Sequence, residues 1–348
     1  MSEITQGSIA VVVPCYRVGS RVLPVLKAIP LEVNWIICID DACPMNTGEL
    51  IKISSKDPRI RVIQHTENQG VGGATMTGYL AALELGAEVV VKLDGDGQMD
   101  PALIPRFAQP IQDGIADYSK GNRFHFPRNL KRMPWMRLIG NAALSFATKL
   151  STGYWNLFDP NNGYTAIHAS VLRELPLERI SRRYFFESDM LFRLNLMHAV
   201  VMDVPMESNY GDEESGLNIP KIVPTFLWGH LRNTFKRIVY NYFLRDFNVA
   251  SLAGILGIGL LAFGTSFGLM HWLKSVHSGV TASSGTVMLS ALPVIIGIEL
   301  LLSGLNHDVS SVPHIPIQRA LYTRESPRSP TKQERVGRLR IDSSKNEE

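Results

Sequence analysis

The stretch VKLDGDGQMDP, residues 91–101, places two carboxylates directly after an apolar run. Asp94 and Asp96 stand two residues apart at the predicted end of a strand. Carboxylate oxygens are the hard ligands that Mg²⁺ and Mn²⁺ take in proteins, and such a cation can bridge the two phosphates of a nucleoside diphosphate. Gly95 and Gly97 permit the turn and a close approach of backbone to ligand. The spacing therefore predicts a site for a metal ion and a diphosphate.

Two other interpretations of the same stretch need to be weighed. A calcium loop of the EF-hand type requires Gly at its sixth position and Glu at its twelfth, where this sequence has Met99 and Pro105. That interpretation fails. A polar turn stays open, because D-G-D-G alone is weak evidence for a metal site. Asp100 precedes Pro101, so it is interpreted as a helix N-cap rather than as a ligand.

The elements that must position these residues alternate between apolar strand-like and helix-like runs. Strands are predicted at residues 8–16, 34–41, 60–65 and 88–97, and helices between them at residues 21–30, 48–56 and 70–86. This order is typical of an α/β fold with a parallel sheet, whose ligands bind at the carboxyl ends of the strands. The residues expected at that edge are Pro14, Tyr16, Asp40, Asp41, Asn68, Gly70, Asp94 and Asp96.

Motifs and composition exclude several function classes. Residues 70–78, GVGGATMTG, lack the G-x-G-x-x-G spacing of a Rossmann dinucleotide site, and no P-loop sequence occurs. A net charge of +3 over 348 residues is too weak to indicate nucleic acid as a partner. The three cysteines have neither disulfide-framework nor metal-ligand spacing, which favours a reducing compartment. No signal peptide is predicted at the N-terminus.

The composition becomes strongly apolar after residue 245. Residues 249–273 and 285–305 form two runs long enough to cross a hydrocarbon core of ~30 Å at ~1.5 Å per residue. The short polar stretch between them contains only one basic residue, Lys274, whereas Lys and Arg are frequent before the first run and after the second. The positive-inside rule therefore predicts that both termini, and the residues before the first run, lie in the cytoplasm. We expect a multi-pass protein of the cell (inner) membrane.

We therefore divide the chain into four parts. Residues 1–220 form the catalytic domain, 221–246 an interfacial amphipathic helix region, 247–306 a transmembrane hairpin and 307–348 a basic, partly flexible tail. The second part interleaves aromatic and basic residues, which is typical of a helix at a membrane surface. Glu299 has two open interpretations: a functional intramembrane carboxyl group, or a structural one that is protonated or paired across an oligomer contact.

Seven short motifs follow one another along the first part. They are VVVPCY, IDDAC, ENQGVGGA, LDGDGQMDP, GNRF, DPNNGYTA and FFESDML. In this order they resemble the family 2 glycosyltransferases of the GT-A fold, and among these the polyprenyl-phosphate sugar transferases related to dolichyl-phosphate mannose synthase and to bacterial undecaprenyl-phosphate glycosyltransferases. The resemblance covers residues 8 to about 220 and implies a mixed, mainly parallel sheet.

The resemblance implies a nucleotide site at the sheet edge. Pro14 and Tyr16 match the start of a P-x-Y-N-E motif that lines the nucleobase pocket, although Arg17 and Val18 replace its Asn and Glu. The other matched positions, from D-D-G-S, N-x-G and the diphosphate motif, are Asp40, Asp41, Asn68, Gly70, Asp94 and Gln98. Asp96 is the first choice as metal ligand, with Asp94 as its less certain partner or as a contact to ribose or sugar.

Further roles carry over beyond the sheet. Arg123 of GNRF matches an arginine that faces the phosphates, and Asp159 and Asn162 match a sugar-pocket element. Glu187 and Asp189 are candidates for a general base, or for orienting a phosphate acceptor that arrives already charged. The residues predicted to clamp the acceptor phosphate against the membrane are Arg128, Lys131 and Arg132. A solvated basic loop is the alternative interpretation for these three.

The resemblance as a whole implies an inverting, metal-dependent transferase. A UDP- or GDP-sugar with Mg²⁺ or Mn²⁺ would donate its sugar to a polyprenyl phosphate, such as undecaprenyl phosphate, at the cytoplasmic face of the bilayer. The alternative acceptor is a hydroxyl group of a lipid-linked oligosaccharide or polysaccharide precursor. A degenerate, non-enzymatic membrane scaffold is a third hypothesis, and homo-oligomer formation is left open.

Overall fold

The computed structural model describes residues 7–125, 135–207 and 219–325. Seven strands within these ranges form one sheet: β1 (Ile9–Cys15), β2 (Val33–Asp40), β3 (Ile60–Gln64), β4 (Val89–Lys92), β5 (Tyr118–Asn122), β6 (Thr165–His168) and β7 (Val201–Pro205). Their order across the sheet is β3-β2-β1-β4-β6-β5-β7. β6 runs antiparallel to β4 and β5, whereas the other neighbours are parallel. The expected mixed, mainly parallel sheet is confirmed.

Helices connect the strands and cover the sheet. They are α1 (Val22–Lys27), α2 (Thr47–Ser54), α3 (Gly70–Glu84), α4 (Ile104–Gln112), α5 (Trp135–Thr152), α6 (Ala169–Glu174) and α7 (Phe186–Leu196). The buried apolar side chains form two clusters. Along β1, Ala10 and Val12 belong to one cluster and Val11 and Val13 to the other, because successive side chains of a strand point to opposite faces. The core therefore lies on both sides of the sheet.

The remaining helices follow the catalytic domain in the chain. They are α8 (Ile219–Val239), which continues as a π-helical segment (Tyr240–Arg245), α9 (Val249–Ser278), α10 (Ser284–Ser310) and α11 (Gln318–Glu325). Helices α9 and α10 are long and apolar enough to cross a membrane, judged by length and composition. Both extend beyond the apolar runs predicted at 249–273 and 285–305.

Small residues let α9 and α10 pack closely as an antiparallel pair. A Cβ atom added to Gly257 would lie 3.0 Å from the Gly297 carbonyl oxygen, and one added to Gly264 would lie 2.7 Å from the Ser290 carbonyl oxygen. Any side chain at these glycines would push the two backbones apart. This packing agrees with the expected hairpin.

A buried polar joint fastens this hairpin to the catalytic domain. The guanidinium of Arg237 on α8 donates to both carboxylate oxygens of Asp308 on α10, with N–O distances of 2.6 and 2.9 Å. Asp308 also accepts from the hydroxyl of Tyr242 at 2.6 Å and from the indole N–H of Trp155 at 2.8 Å. Since Trp155 belongs to the catalytic domain, this one carboxylate connects the domain, α8 and the hairpin.

The first part of the predicted flexible tail is packed on the catalytic domain. The backbone N–H groups of Ile317 and Gln318 donate to the carboxylate of Asp117 at 2.9 and 2.8 Å. The side chain of Gln318 donates to the Ala116 carbonyl oxygen at 2.6 Å, and Val312 is buried. A buried carboxylate needs such donors, and the sequence alone does not show that they come from 200 residues away. Residues 326–348 of the tail lie outside the described ranges.

Candidate active site

The carboxyl ends of β1, β2 and β4 meet at one edge of the sheet. β1 pairs in parallel with β2 on one side and β4 on the other, with Cys15 opposite Asp40 and Val12 opposite Lys92. Gly95 lies against the end of β1: an added Cβ atom would be 3.2 Å from Val13 Cγ1. The D-G-D turn is therefore beside the residues predicted to line the nucleobase pocket.

Pro14 and Tyr16 are the residues predicted to line the nucleobase pocket, and Tyr16 is the more exposed of the two. Its side chain is 42% exposed, and the Arg17 guanidinium lies 5.3 Å from its ring centroid. Pro14, the residue before the last one of β1, is half-buried. Arg17 adopts a φ of 57°, in the left-handed region that non-glycine residues rarely occupy. The exposed tyrosine ring offers a flat apolar face to an aromatic ligand.

The carboxylate of Asp40 is buried and holds the loop after β2. Its two oxygens accept from the backbone N–H groups of Cys43 at 2.7 Å and Gly48 at 2.6 Å. A Cβ atom added to Gly48 would lie 2.8 Å from Asp40 Oδ2, so only glycine fits there. Both oxygens thus have partners within the protein, and contact of Asp40 with a base or ribose stays a prediction.

Asp41, the residue after Asp40, holds the start of α3 through its carboxylate. It accepts from the backbone N–H groups of Gln69 and Gly70, both at 2.8 Å, and its Oδ1 lies 2.7 Å from His65 Nδ1. The side-chain amide of Asn68 donates to the Asp41 carbonyl oxygen at 3.2 Å. The predicted D-D and N-x-G residues are therefore brought together, and His65 joins them without having been singled out from the sequence.

The D-G-D turn gives its two carboxylates different surroundings. Asp94 Oδ1 accepts from the ammonium group of Lys92 at 2.8 Å. Asp96 is half-buried, and its Oδ1 accepts from the backbone N–H of Gln98 at 2.9 Å. Burial raises the pKa of Asp96 despite that hydrogen bond, and the neighbouring Asp94 carboxylate raises it further. A cation at this place would relieve both effects.

Asp100 is an N-cap, as the sequence indicated. Its carboxylate accepts from the backbone N–H of Ala102 at 2.9 Å, at the start of the short helix Pro101–Leu103. The cap confirms that Asp100 has a different role from Asp94 and Asp96, the two candidates for metal ligands.

A buried group of charges lies beneath the turn. Lys92 and Lys120 flank Thr165 across the sheet, and both ammonium groups are buried. Lys92 also lies 3.8 Å from Glu187 Oε1 on α7. Burial alone would lower the pKa of Lys92, but the carboxylates of Asp94 and Glu187 outweigh it and raise the pKa. Lys92 is thus held as a cation between two carboxylates.

The charge of Lys120, the other buried lysine, is less well compensated by nearby carboxylates. Burial lowers the pKa of Lys120 to about 8, although Glu187 and Asp159 act in the opposite direction. Its ammonium group donates to the carbonyl oxygen of Asn162. Burial likewise raises the pKa of Glu187, against the effect of the two lysines. Neither lysine was singled out from the sequence, although a lysine ending the buried run VVVK was the available signal.

The predicted phosphate and sugar residues contact one another. Arg123 binds Asp159 through two hydrogen bonds, Nε to Oδ2 at 2.7 Å and Nη2 to Oδ1 at 3.0 Å. The side-chain amide of Asn162 donates to Asp159 Oδ2 at 3.2 Å. Asp159 and Asn162 are both buried, so they hold Arg123 in place near the end of β5. Their roles toward phosphate and sugar stay predictions.

The structure separates the two candidates for a general base. Asp189 is buried; its Oδ2 accepts from the backbone N–H of Ser181 at 2.9 Å and its Oδ1 from the side chain of Asn233 on α8 at 3.0 Å. Glu187 instead points to Lys92 and the sheet edge. Asp189 therefore ties α7 to α8, whereas Glu187 lies with the site charges.

Three predicted acceptor-phosphate residues lie outside the described ranges, namely Arg128, Lys131 and Arg132. Helix α5 begins just after them at Trp135, whose side chain is exposed.

Comparisons with known proteins agree with this geometry. The profile of the family described as "Glycosyl transferase family 2" matches residues 10–176. A Methanococcus voltae protein named UDP-N-acetylglucosamine–dolichyl-phosphate N-acetylglucosaminyltransferase is 33% identical over 188 residues, which cover 50% of this chain and 74% of that protein. The undecaprenyl-phosphate mannosyltransferase of Micrococcus luteus is 30% identical over 201 residues, covering 56% of this chain and 82% of the relative.

A solved structure shares the fold. It is the glucosyl-3-phosphoglycerate synthase of Mycobacterium tuberculosis, crystallised with Mn²⁺, UDP-glucose and phosphoglyceric acid, and it superposes with a TM-score of 0.50 at 18% identity. The match covers 66% of this chain and 79% of that one.

Proposed function

The chain belongs to glycosyl transferase family 2, and from this premise we propose that it transfers a sugar from a nucleotide diphosphate sugar to the phosphate of a polyprenyl lipid at the cytoplasmic face of the cell membrane. The observation that carries the acceptor class is the similarity, at 30% identity or more, to two enzymes named for dolichyl phosphate and undecaprenyl phosphate. The donor sugar and its base are left open between UDP- and GDP-sugars.

The donor would lie along the edge formed by β1, β2 and β4. The ring of Tyr16, which is exposed, and Pro14, which is half-buried, would line the nucleobase pocket. Asp40 and Asp41 support that pocket by holding the loops after β2 and before α3. The diphosphate would then reach the D-G-D turn, where Gly95 and Gly97 allow close approach.

The carboxylates at this turn fit a divalent cation. Asp96 Oδ2 has no hydrogen-bond partner among the described residues, and burial together with the Asp94 carboxylate raises the pKa of Asp96, although Arg21 and Lys92 act in the opposite direction. The described residues contain no group of three or more His, Cys, Asp or Glu that could hold a metal. Asp96, with Asp94 beside it, would therefore share an Mg²⁺ or Mn²⁺ with the diphosphate oxygens. Such an ion supplies charge stabilisation to the departing diphosphate.

The chemical step needs little proton transfer if the acceptor is a phosphate. A phosphate monoester has a second pKa of ~6 and is largely ionised at pH 7. Its oxygen attacks the anomeric carbon from the face opposite the nucleotide, and the bond from that carbon to the diphosphate breaks with both electrons going to the diphosphate oxygen. This in-line geometry inverts the anomeric centre. Arg123, which Asp159 holds through two hydrogen bonds, would contact phosphate oxygens, and Glu187 would orient the acceptor or a sugar hydroxyl.

The hairpin would bring this edge to the membrane. Both of its ends contact the catalytic domain or α8: Asn248 caps α9 just after the π-helical segment, and Asp308 near the end of α10 binds Arg237. A hairpin with both ends on one side places the domain against one membrane face, where the positive-inside rule assigns the cytoplasm. The exposed aromatic side chains of Trp228 and Phe235 on α8 suit the interface.

The direct test supplies purified full-length chain in detergent with UDP- and GDP-sugars, Mg²⁺ or Mn²⁺, and either polyprenyl phosphate or a lipid-linked glycan. A glycosylated lipid phosphate is the expected product, and chelation with EDTA is expected to stop its formation. If no donor yields a lipid-phosphate product, the proposed acceptor is wrong; a glycan product instead would support the hydroxyl alternative.

Replacing Glu187 with glutamine is expected to distinguish the two acceptors. With a lipid phosphate, the initial rate should fall less than about tenfold, because no proton needs removal. With a hydroxyl acceptor, loss of a general base should cost about 10²–10⁴-fold. Asp189→Asn is the matched control two residues away: it disturbs the ties to Ser181 and Asn233 and should lower the melting temperature without favouring either acceptor. A hundredfold loss with lipid phosphate would contradict the orienting role.

Gly163→Ala is expected to reduce kcat/KM by about 10–100-fold. An added Cβ atom would lie 2.7 Å from Asp94 Oδ2 and 2.8 Å from Lys92 Nζ, so this pair must move. Displacements near 1 Å can cost about 10²-fold in an active site. Gly140→Ala on α5, where an added Cβ atom meets nothing within 4 Å, is the control and should leave initial rates within about twofold. Equal rates for the two variants would contradict the argument that a side chain at residue 163 displaces Asp94 and Lys92.

A further inference from the structure

The outward face of α10 carries an unusual polar stripe. Glu299, Ser303, Asn306 and Ser310 are all exposed, and their spacing of four, three and four residues puts them on one side of the helix. Asp308, by contrast, is buried and points to Arg237. The stripe is therefore separate from the joint that fastens the hairpin to the catalytic domain.

The stripe enters a region that is otherwise apolar. Glu299 lies six residues before the end of the apolar run 285–305, which at ~1.5 Å per residue places it about 9 Å inside that run, whereas Asn306 and Ser310 lie just beyond its end. The neighbouring side chains of Ile295 and Leu302 are exposed at 62% and 55%, as expected for lipid contact. Lipid tails offer no hydrogen bonds to a carboxyl, hydroxyl or amide group.

Within the part of the chain that the structure describes, three of these four polar side chains have no polar partner. Among the described residues, the side chains of Glu299, Ser303 and Asn306 make neither a hydrogen bond nor an ion pair. The hydroxyl of Ser310 donates to the Asn306 carbonyl oxygen at 3.0 Å, inside its own helix. Polar residues on a transmembrane helix almost always face another protein surface, where they find hydrogen bonds.

We propose that this stripe is the contact between two copies of the chain in the membrane, an inference that rests on the proposed transmembrane hairpin. Two copies inserted in the same orientation bring identical stripes to the same depth, as a two-fold pair requires. The stripe is self-complementary, because Ser303 and Asn306 carry donors and Glu299 carries acceptor oxygens. The Glu299 side chain is long enough to reach a hydroxyl one helical turn away on the second copy.

The acceptor lipid suits this stripe less well than a second copy. A phosphate is recognised by Lys or Arg, and residues 284–310 contain neither. Lys274 lies near the other end of the hairpin, on α9, and the basic residues next to the catalytic domain lie on α8, in the π-helical segment and on α11. The stripe therefore has the chemistry of a helix–helix contact in lipid and not that of a phosphate site.

The first experiment measures proximity in isolated membranes. Ser303→Cys on the stripe is compared with Leu305→Cys, which lies at nearly the same depth but is separated from Ser303 by about 160° around the helix axis. A short bis-maleimide is added, and cross-linked dimer is quantified on denaturing gels. The wild-type chain is the background control, since Cys15, Cys38 and Cys43 are buried. We expect at least fivefold more dimer from Ser303→Cys; equal yields would overturn the proposal.

The second experiment removes the hydrogen bonds. Full-length chain is reconstituted in lipid vesicles and its copies are counted by single-molecule photobleaching. Wild type is expected as a dimer or a larger assembly, Glu299→Gln as the same assembly because the amide retains hydrogen bonding, and Glu299→Leu/Asn306→Leu as mostly monomer. A wild-type monomer, or an unchanged assembly in the double variant, would overturn the proposal, as would cross-linking of Ser303→Cys only to another protein. Carbonate extraction tests the transmembrane hairpin separately from the contact between copies. If the hairpin spans the membrane, every variant stays in the membrane pellet, whether it is a monomer or a dimer.

Discussion

Replacing Asp96 with alanine is expected to lower the rate of sugar transfer by at least about 10³-fold while the fold is preserved. The reason is that the departing diphosphate carries developing charge, and one positioned electrostatic contact to such charge is worth about 10²–10³-fold or more. Asp96 is the carboxylate at this turn whose surroundings least compensate it, since burial and Asp94 both raise its pKa. Loss of the cation it shares with the diphosphate would remove that contact.

The same surroundings predict that Asp96→Ala does not destabilise the protein. A raised pKa in the folded state means that the charged carboxylate is disfavoured there relative to the unfolded chain at neutral pH. Its removal should leave the melting temperature unchanged or slightly higher. Asp100→Ala is the matched control in the same loop, because Asp100 caps a helix and should affect stability by about 1 kcal/mol and the rate little.

The measurements that check this prediction are initial rates, melting temperature and Mn²⁺ binding followed by electron paramagnetic resonance with nucleoside diphosphate present. Wild type and Asp100→Ala are expected to bind Mn²⁺ alike, and Asp96→Ala much more weakly. Transfer by Asp96→Ala within a few-fold of wild type would refute the metal assignment.

Lys92→Met is expected to reduce the free energy of unfolding by about 3–5 kcal/mol, the usual effect of removing one partner from a buried ion pair. Lys92 is buried, lies 2.8 Å from Asp94 Oδ1 and 3.8 Å from Glu187 Oε1, and is the cation that both carboxylates share. Its raised pKa means that the charged form is favoured by folding, so this contribution is fully present below the unfolded lysine pKa of ~10.4 and is lost above the folded one. The loss should therefore be similar at pH 6 and pH 8.

A double-mutant cycle with Glu187→Gln isolates the interaction between these two side chains. Because the glutamine no longer needs a counter-charge, Lys92→Met should cost about 1–3 kcal/mol less in the Glu187→Gln background. Lys52→Met is the control, since Lys52 pairs with Glu49 on the surface and should contribute less than about 1 kcal/mol. Urea unfolding of the full chain in mild detergent gives these values. Additive losses in the cycle would show that Lys92 acts on Asp94 alone.

The joint at Asp308 illustrates what could not be predicted from motifs. The apolar runs indicated a hairpin, and the basic aromatic segment indicated a helix before it. Nothing in their spacing showed that Arg237 is buried or that Trp155, Arg237 and Tyr242 converge on one carboxylate. These partners are separated by up to 153 residues, so only the folded chain brings them together.

The carboxylates at the sheet edge show most clearly what the sequence determined and what only the folded chain decided. Alternation of apolar runs, with Asp and Asn directly after them, was sufficient to predict the α/β class, the meeting of these side chains at one edge of the sheet, and the N-cap role of Asp100. The family resemblance assigned Asp40 and Asp41 to the nucleotide, Asp94 and Asp96 to the metal ion or donor, and Glu187 and Asp189 to the acceptor, but residue spacing did not show which of these carboxylates already have partners within the protein. Tertiary structure divides them, because Asp40, Asp41 and Asp189 are satisfied by backbone or amide N–H groups, whereas Glu187 and Asp94 share the buried Lys92. The physical reason is that hydrogen-bond partners and desolvation depend on contacts between distant residues, while residue spacing sets only the local direction of a side chain.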